Sequence, residues 1–188
     1  MVSLMALWLP ILVASVLVFI ASSIIHMFLN YHKNDFKGLP DEAGLRDAIR
    51  PFNLPPGDYY FPHHHGDMEL MKSDAYQAKA AEGPSGFMTV LPKGNPFNMG
   101  AQLVQWFIYC IIVSIFAAYI SSRAVDLDSA HSYLQVFRFA GCTAFAAYAL
   151  AGWQRSIWFK QPWSTTMKNT FDGLVYALLT AGTFGWLS

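Results

Sequence analysis

The side chains best suited to chemistry lie between two apolar stretches. They are His63, His64 and His65, with Asp67 and Glu69 close behind. Imidazole is the commonest metal-ligand side chain, and carboxylates can complete a site. In an extended chain His63 and His65 point to one face. His63, His65, Asp67 and Glu69 are therefore a candidate metal site, set against the expectation of no cofactor. The spacing matches no standard zinc signature, and three histidines flanked by proline and glycine also suit a solvated loop. His26 and His32 flank the end of the first apolar stretch. A haem needs axial ligands at matching depth on facing helices. No second mid-span histidine exists, so His26 reads as an interfacial or hydrogen-bonded residue.

Charges inside apolar stretches are the next candidates, because they are costly in a membrane and often functional. Arg138 lies well inside the third stretch. It either meets an ion, substrate or subunit, or it snorkels outward or pairs with Asp126 or Asp128. Asp172 lies near the start of the fourth stretch, and Lys168 four residues earlier predicts a local pair on one helix face. Gln102, Gln105 and Gln135 are candidates for hydrogen bonds between helices. No GxGxxG, P-loop, GxSxG or HExxH motif occurs, and no enzyme is expected. Cys110 and Cys142, each within an apolar stretch, read as small core residues rather than a disulfide framework.

These residues need elements to position them. Of 188 residues, 54% are hydrophobic and only 13% charged, with twelve basic residues balancing twelve acidic ones. The charged share is about half that of a soluble domain, and the mean hydropathy is +0.31. The balance excludes a disordered chain, a nucleic-acid binder driven by basicity and an ordinary soluble enzyme. A helix crosses a bilayer in about 20 apolar residues. Four stretches meet that length, at 4–29, 101–122, 132–153 and 168–187. The expected fold is an all-α membrane protein, a four-helix transmembrane bundle with a small mixed α/β cytoplasmic insertion at 30–99, between spans one and two. Spans two and three, joined by a short link, should be antiparallel neighbours. Lys33, Lys37, Arg155, Lys160 and Lys168 fall on one side of this arrangement. The positive-inside rule makes that side cytoplasmic and puts both termini outside.

Gly173, Ala177, Ala181 and Gly185 recur every four residues and line one face of span four. Small residues at that spacing let another backbone come close, either in this chain, where Ala-rich span three is a natural partner, or in another subunit. The link at 154–167 and its borders carry Trp153, Trp158 and Trp163 among Arg155 and Lys160. That mixture suits the headgroup level of the bilayer or a docking site for a partner.

In the insertion, DEAGLRDAIR is a predicted helix stopped by Pro51, and Asp67 caps a second predicted helix, DMELMKSDAYQAKAAE, ended by Gly83 and Pro84. YYF and GFMTVLP are short strand candidates that could pair. Such a unit is too small to be stable alone. The stretch GPSGFMTVLPKG, followed by a span, and the tail FDGLVYALLTAGTFGW resemble those of a group of small bacterial membrane proteins with four predicted spans. The resemblance implies a location in the bacterial inner membrane and carries no activity.

The function expected from these features is a non-catalytic accessory or scaffolding subunit of a larger membrane complex. Its partners would be the lipid bilayer and other subunits or a homo-oligomer, without nucleic acid. It rests on the lack of a catalytic constellation, the small-residue face and the dependent insertion. A small oligomeric transporter or channel using Arg138 is one alternative. A metal-handling protein using His63–His65 is another.

Overall fold

The computed structural model describes residues 3–94, 98–125 and 132–188. Its helices are α1 (Trp8–Phe28), α2 (Glu42–Ile49), α3 (Met68–Lys72), α4 (Asp74–Glu82), α5 (Met99–Ala124), α6 (Ser132–Tyr148), α7 (Trp153–Phe159) and α8 (Trp163–Leu187). Its strands are β1 (Gly57–Phe61) and β2 (Gly86–Val90). The chain divides into two units, Met1–Lys37 with Met99–Ser188, and Gly38–Asn98. Residues 30–37, expected in the insertion, thus belong to the helical unit.

Among the described residues three segments are long and apolar enough to cross a membrane, Leu4–Phe28, Met99–Ala124 and Ser132–Phe159. The third continues through a 3₁₀ turn at Leu150–Gly152 into α7, past the expected end at 153. The 25-residue α8 is long enough, but Lys168, Asp172 and its threonines and glycines keep it from qualifying by composition. It begins at Trp163 rather than 168, because Pro162 fixes the backbone just before the first turn. In α1, Pro10 sits in the first turn, where a missing N–H leaves no helix hydrogen bond unmade.

The long helices pack in the cyclic order α1, α5, α6, α8. Contacts along each pair show that neighbours are antiparallel. Ser15 meets Ser114 and Ser22 meets Trp106 between α1 and α5. Between α6 and α8, the site of a Cβ on Gly173 faces Ala149, just past the end of α6, while those on Gly141 and Gly185 face Ala181 and Tyr133. One end of the core is built of Leu7, Ala14, Ala117, Ala118, Val136, Ala140 and Phe184. Nearer the other end lie Val18, Ile25, Cys110 and Tyr176. The large apolar side chains Leu12, Ile20, Ile108, Ile112, Phe116 and Leu178 are exposed on the outside of the helices.

The small-residue face of α8 is filled within the chain. A Cβ on Gly173 would lie 2.7 Å from the Ala149 Cβ and 3.1 Å from its N and Cα; one on Gly185 would lie 2.9 Å from the Tyr133 ring. Ala177 and Ala181 are buried between them.

In the second unit β1 and β2 pair antiparallel, with Tyr59 opposite Met88. The Asp41 carboxylate caps α2 by accepting from the Gly44 N–H. The expected single helix after Asp67 is two helices. Ser73 adopts an extended backbone and caps α4 with its hydroxyl, which breaks the run. No described residue of this unit is buried.

Candidate functional site

The candidate site lies at the end of the bundle where α1 finishes, α5 begins, α6 gives way to α7 and α8 begins. After Phe28 the chain turns extended at Leu29 and closes a 3₁₀ turn at Asn30–His32. That turn folds Tyr31 and His32 back against α8. The His32 ring is held at both nitrogens, with Nδ1 2.6 Å from Asp35 Oδ2 and Nε2 2.8 Å from Asp172 Oδ2. The Tyr31 hydroxyl donates to Asp172 Oδ1. Lys168 Nζ donates to Asp35 Oδ1 and to the Tyr31 carbonyl, each at 2.6 Å. Asp172 itself is 2% exposed.

The electrostatics follow from these partners. Burial pushes the Asp35 carboxyl up, but the Lys168 and His32 hydrogen bonds outweigh it, so the group lies below its ordinary value. Burial raises the Tyr31 phenol, and its bond to Asp172 raises it further. Two carboxylates thus face one ammonium and one imidazole, the pairing that a buried charge requires.

The His26 ring lies 4.7 Å from that of His32. One ligand atom each from His26, His32 and Asp172 falls within 4.8 Å of the others. Among the described residues this is the one group of histidine, cysteine and carboxylate side chains that converges so closely. His26 and Asp172 also line a cavity of about 370 Å³ between the helices, with Ser22, Trp106, Tyr148, Arg155 and Tyr176. Trp106, Tyr148 and Tyr176 meet one another at 5.6–6.0 Å between ring centroids. The Tyr176 hydroxyl is buried without a hydrogen-bond partner among the described residues. So is that of Tyr148, which sits beside the Cys110 thiol but makes no bond of proper geometry with it. The Arg155 guanidinium is exposed at the cavity and forms no ion pair among the described residues.

Several expected roles change. Lys168 does not pair with Asp172 on its own helix face; each reaches across to the segment after α1, where opposite charge and a carbonyl offer buried partners. The His63–His65 candidate does not assemble. His63 Nδ1 and His64 Nδ1 accept from the N–H groups of His65 and Gly66, and His65 takes a left-handed backbone. Asp67 caps α3 and Glu69 pairs with Lys72 at 2.8 Å. His63 Nδ1, His64 Nδ1 and the Asp67 and Glu69 carboxylates are thus engaged locally, while the His63 and His65 rings lie 4.7 Å apart. Arg138 is exposed on α6, and its expected partners Asp126 and Asp128 lie outside the described residues. Gln102, Gln105 and Gln135 are also exposed. The polar links between elements come instead from Ser15–Ser114 at 3.2 Å, Trp106–Ser22 at 2.7 Å and Ser156–Thr166 at 2.5 Å. Trp153 donates to Thr170 and meets Trp163 edge-on, and all three tryptophans, Trp158 most of all, are exposed.

Tyr31, Asp35 and Lys168 were not legible as site residues. The available signal was positional. Tyr31, His32 and Asp35 follow α1 as Lys168 and Asp172 open α8, and in an alternating bundle those two places share an end. No protein-family model, curated protein or solved structure matches the chain.

Proposed function

We propose that the chain is a four-span protein of the bacterial inner membrane that binds a small amphipathic molecule, with an anionic head, in the cavity at its cytoplasmic end. In this reading α8 is the fourth span, its Asp172 hydrogen-bonded by His32 and Tyr31. The basic residues Lys33, Lys37, Arg155, Lys160 and Lys168 cluster at that end in sequence order, which favours the cytoplasmic side and places both termini outside. One observation carries the binding reading. A cavity of about 370 Å³, of small-molecule size, is walled mainly by apolar and aromatic groups and is lined by the Arg155 cation. Apolar walls suit the body of a ligand, and Arg155 suits an anionic head. The accessory-subunit expectation loses two supports here, since side chains of chemical interest do converge and the small-residue face is filled internally.

Native mass spectrometry on the full chain, purified in mild detergent and then exposed to a lipid extract, tests the reading. One retained small molecule in the wild type and its loss in Arg155→Ala would support it. No retained molecule, or equal retention in Arg155→Ala, would overturn it.

A further inference from the structure

We propose that His26, His32 and Asp172 hold a divalent transition-metal ion, with one coordination position open to the cavity. Its proposed role as the polar anchor of the cavity's ligand rests on the binding reading above; the ion site itself rests on four separate observations.

The first is the donor set. Two imidazoles and a carboxylate suit zinc, iron(II) or cobalt(II), whereas magnesium and calcium prefer all-oxygen cages. The second is spacing. Bonds of about 2.0–2.2 Å in a tetrahedral site put ligand atoms about 3.3 Å apart. His32 Nε2 and Asp172 Oδ2 stand at 2.8 Å, and one ligand atom from each of the three residues lies within 4.8 Å of the others. Shifts of about 1 Å or less per ligand bring them to bonding distance of one point. His26, exposed in the last turn of α1, has the freedom to make its share.

The third observation is what stands behind the donors. A metal-bound histidine almost always gives its other ring N–H to a carboxylate, which fixes ring and tautomer. Asp35 does this for His32 at 2.6 Å, and Lys168 in turn anchors Asp35 at 2.6 Å. The Tyr31 hydroxyl takes Asp172 Oδ1 and leaves Oδ2 facing His32. The fourth is openness. His26 and Asp172 line the cavity. Three protein ligands with a vacant position mark an ion that meets an exogenous ligand instead of one that only braces a fold.

Cobalt(II) is the probe, because a tetrahedral His/carboxylate site gives it visible absorption. The untagged full chain is stripped with chelator in mild detergent and titrated. The expected result is one cobalt per chain with visible bands. His26→Ala, an exposed and structurally mild change, should weaken binding at least 10-fold. Asp35→Asn should weaken it about 10- to 100-fold with the bands retained. The triple His63→Ala, His64→Ala, His65→Ala variant should bind like wild type. The idea fails if wild-type protein with an intact helical spectrum takes up no cobalt. It also fails if His26→Ala and Asp35→Asn bind as wild type, or if only the triple variant loses the ion. Cobalt bound without any retained small molecule would leave the ion site standing and remove the cavity reading. A retained molecule without cobalt uptake would do the reverse.

Discussion

Gly173→Ala probes the crossing that shapes the site. The new methyl would lie 2.7 Å from the Ala149 Cβ and 3.1 Å from its N and Cα. Carbon atoms pack best at about 3.5–4.0 Å, so α8 and the end of α6 must part by about 1 Å. Backbone is in the way on the far side, and no side chain can rotate aside. Overpacking of this kind costs about 1–3 kcal/mol. Alanine also returns up to about 1 kcal/mol of helix propensity, which would mask part of the loss. Gly182→Ala removes that ambiguity. It lies in the same helix with nothing within 4 Å of its added methyl, so it gains the same propensity without the clash. The stability gap between the two variants should therefore be about 1–3 kcal/mol, with Gly173→Ala the weaker. Unfolding by denaturing detergent in mixed micelles, followed by the fluorescence of the six tryptophans, measures it. Equal stability of the two variants would refute the argument that Gly173 is there for close approach.

Phe184 is fully buried among Ala14, Ala117, Ala118 and Ala140, and Phe184→Ala should cost about 3 kcal/mol; the same detergent titration reads it. Ser15→Ala removes a buried bond to Ser114 on α5 and should cost only about 0.6 kcal/mol, as hydrogen bonds within membranes do on average; a loss above about 2 kcal/mol would show that Ser15 does more than this bond. Ser73→Ala removes the cap of α4, whose Tyr76 N–H it accepts, and should cost about 1 kcal/mol locally. Amide exchange should quicken in α4 and stay unchanged in α8.

Length and hydropathy made the apolar helices legible, and the two strands of the second unit could be read from YYF and GFMTVLP between turn residues. Helix breaks were harder. DMELMKSDAYQAKAAE has helical composition throughout, and only the competition of the Ser73 hydroxyl for the backbone divides it. The candidate site was the least legible part. His32 and Asp172 are separated by 140 positions, and no local spacing joins them. Local rules instead favoured what was nearby, the Lys168–Asp172 pair and the run of three histidines. The first gives way for a physical reason. An i,i+4 pair on a helix is worth only about 0.2–0.5 kcal/mol, far less than the cost of leaving Asp35 or Asp172 buried without a partner. The long-range pairing therefore wins wherever the topology permits it.

That topology also accounts for where the cavity lies. At the far end of the bundle Ala14, Ala117, Ala118 and Ala140 let the helices close around Phe184. At the near end α6 and α8 are pinned together at Gly173 and Ala149, yet three large rings, Trp106, Tyr148 and Tyr176, share the space beside them. Rings that meet at their edges leave gaps which aliphatic side chains would fill. Trp106 is tied to Ser22 on α1, so it cannot swing into the gap without losing a hydrogen bond. Asp172 sits one residue before the pinning glycine, and through His32 and Tyr31 it holds the end of α1. The polar network thus joins the first and last helices across the open end, where apolar packing is weakest. Replacing it with aliphatic side chains would close the gap as well, but would remove the groups that face the cavity.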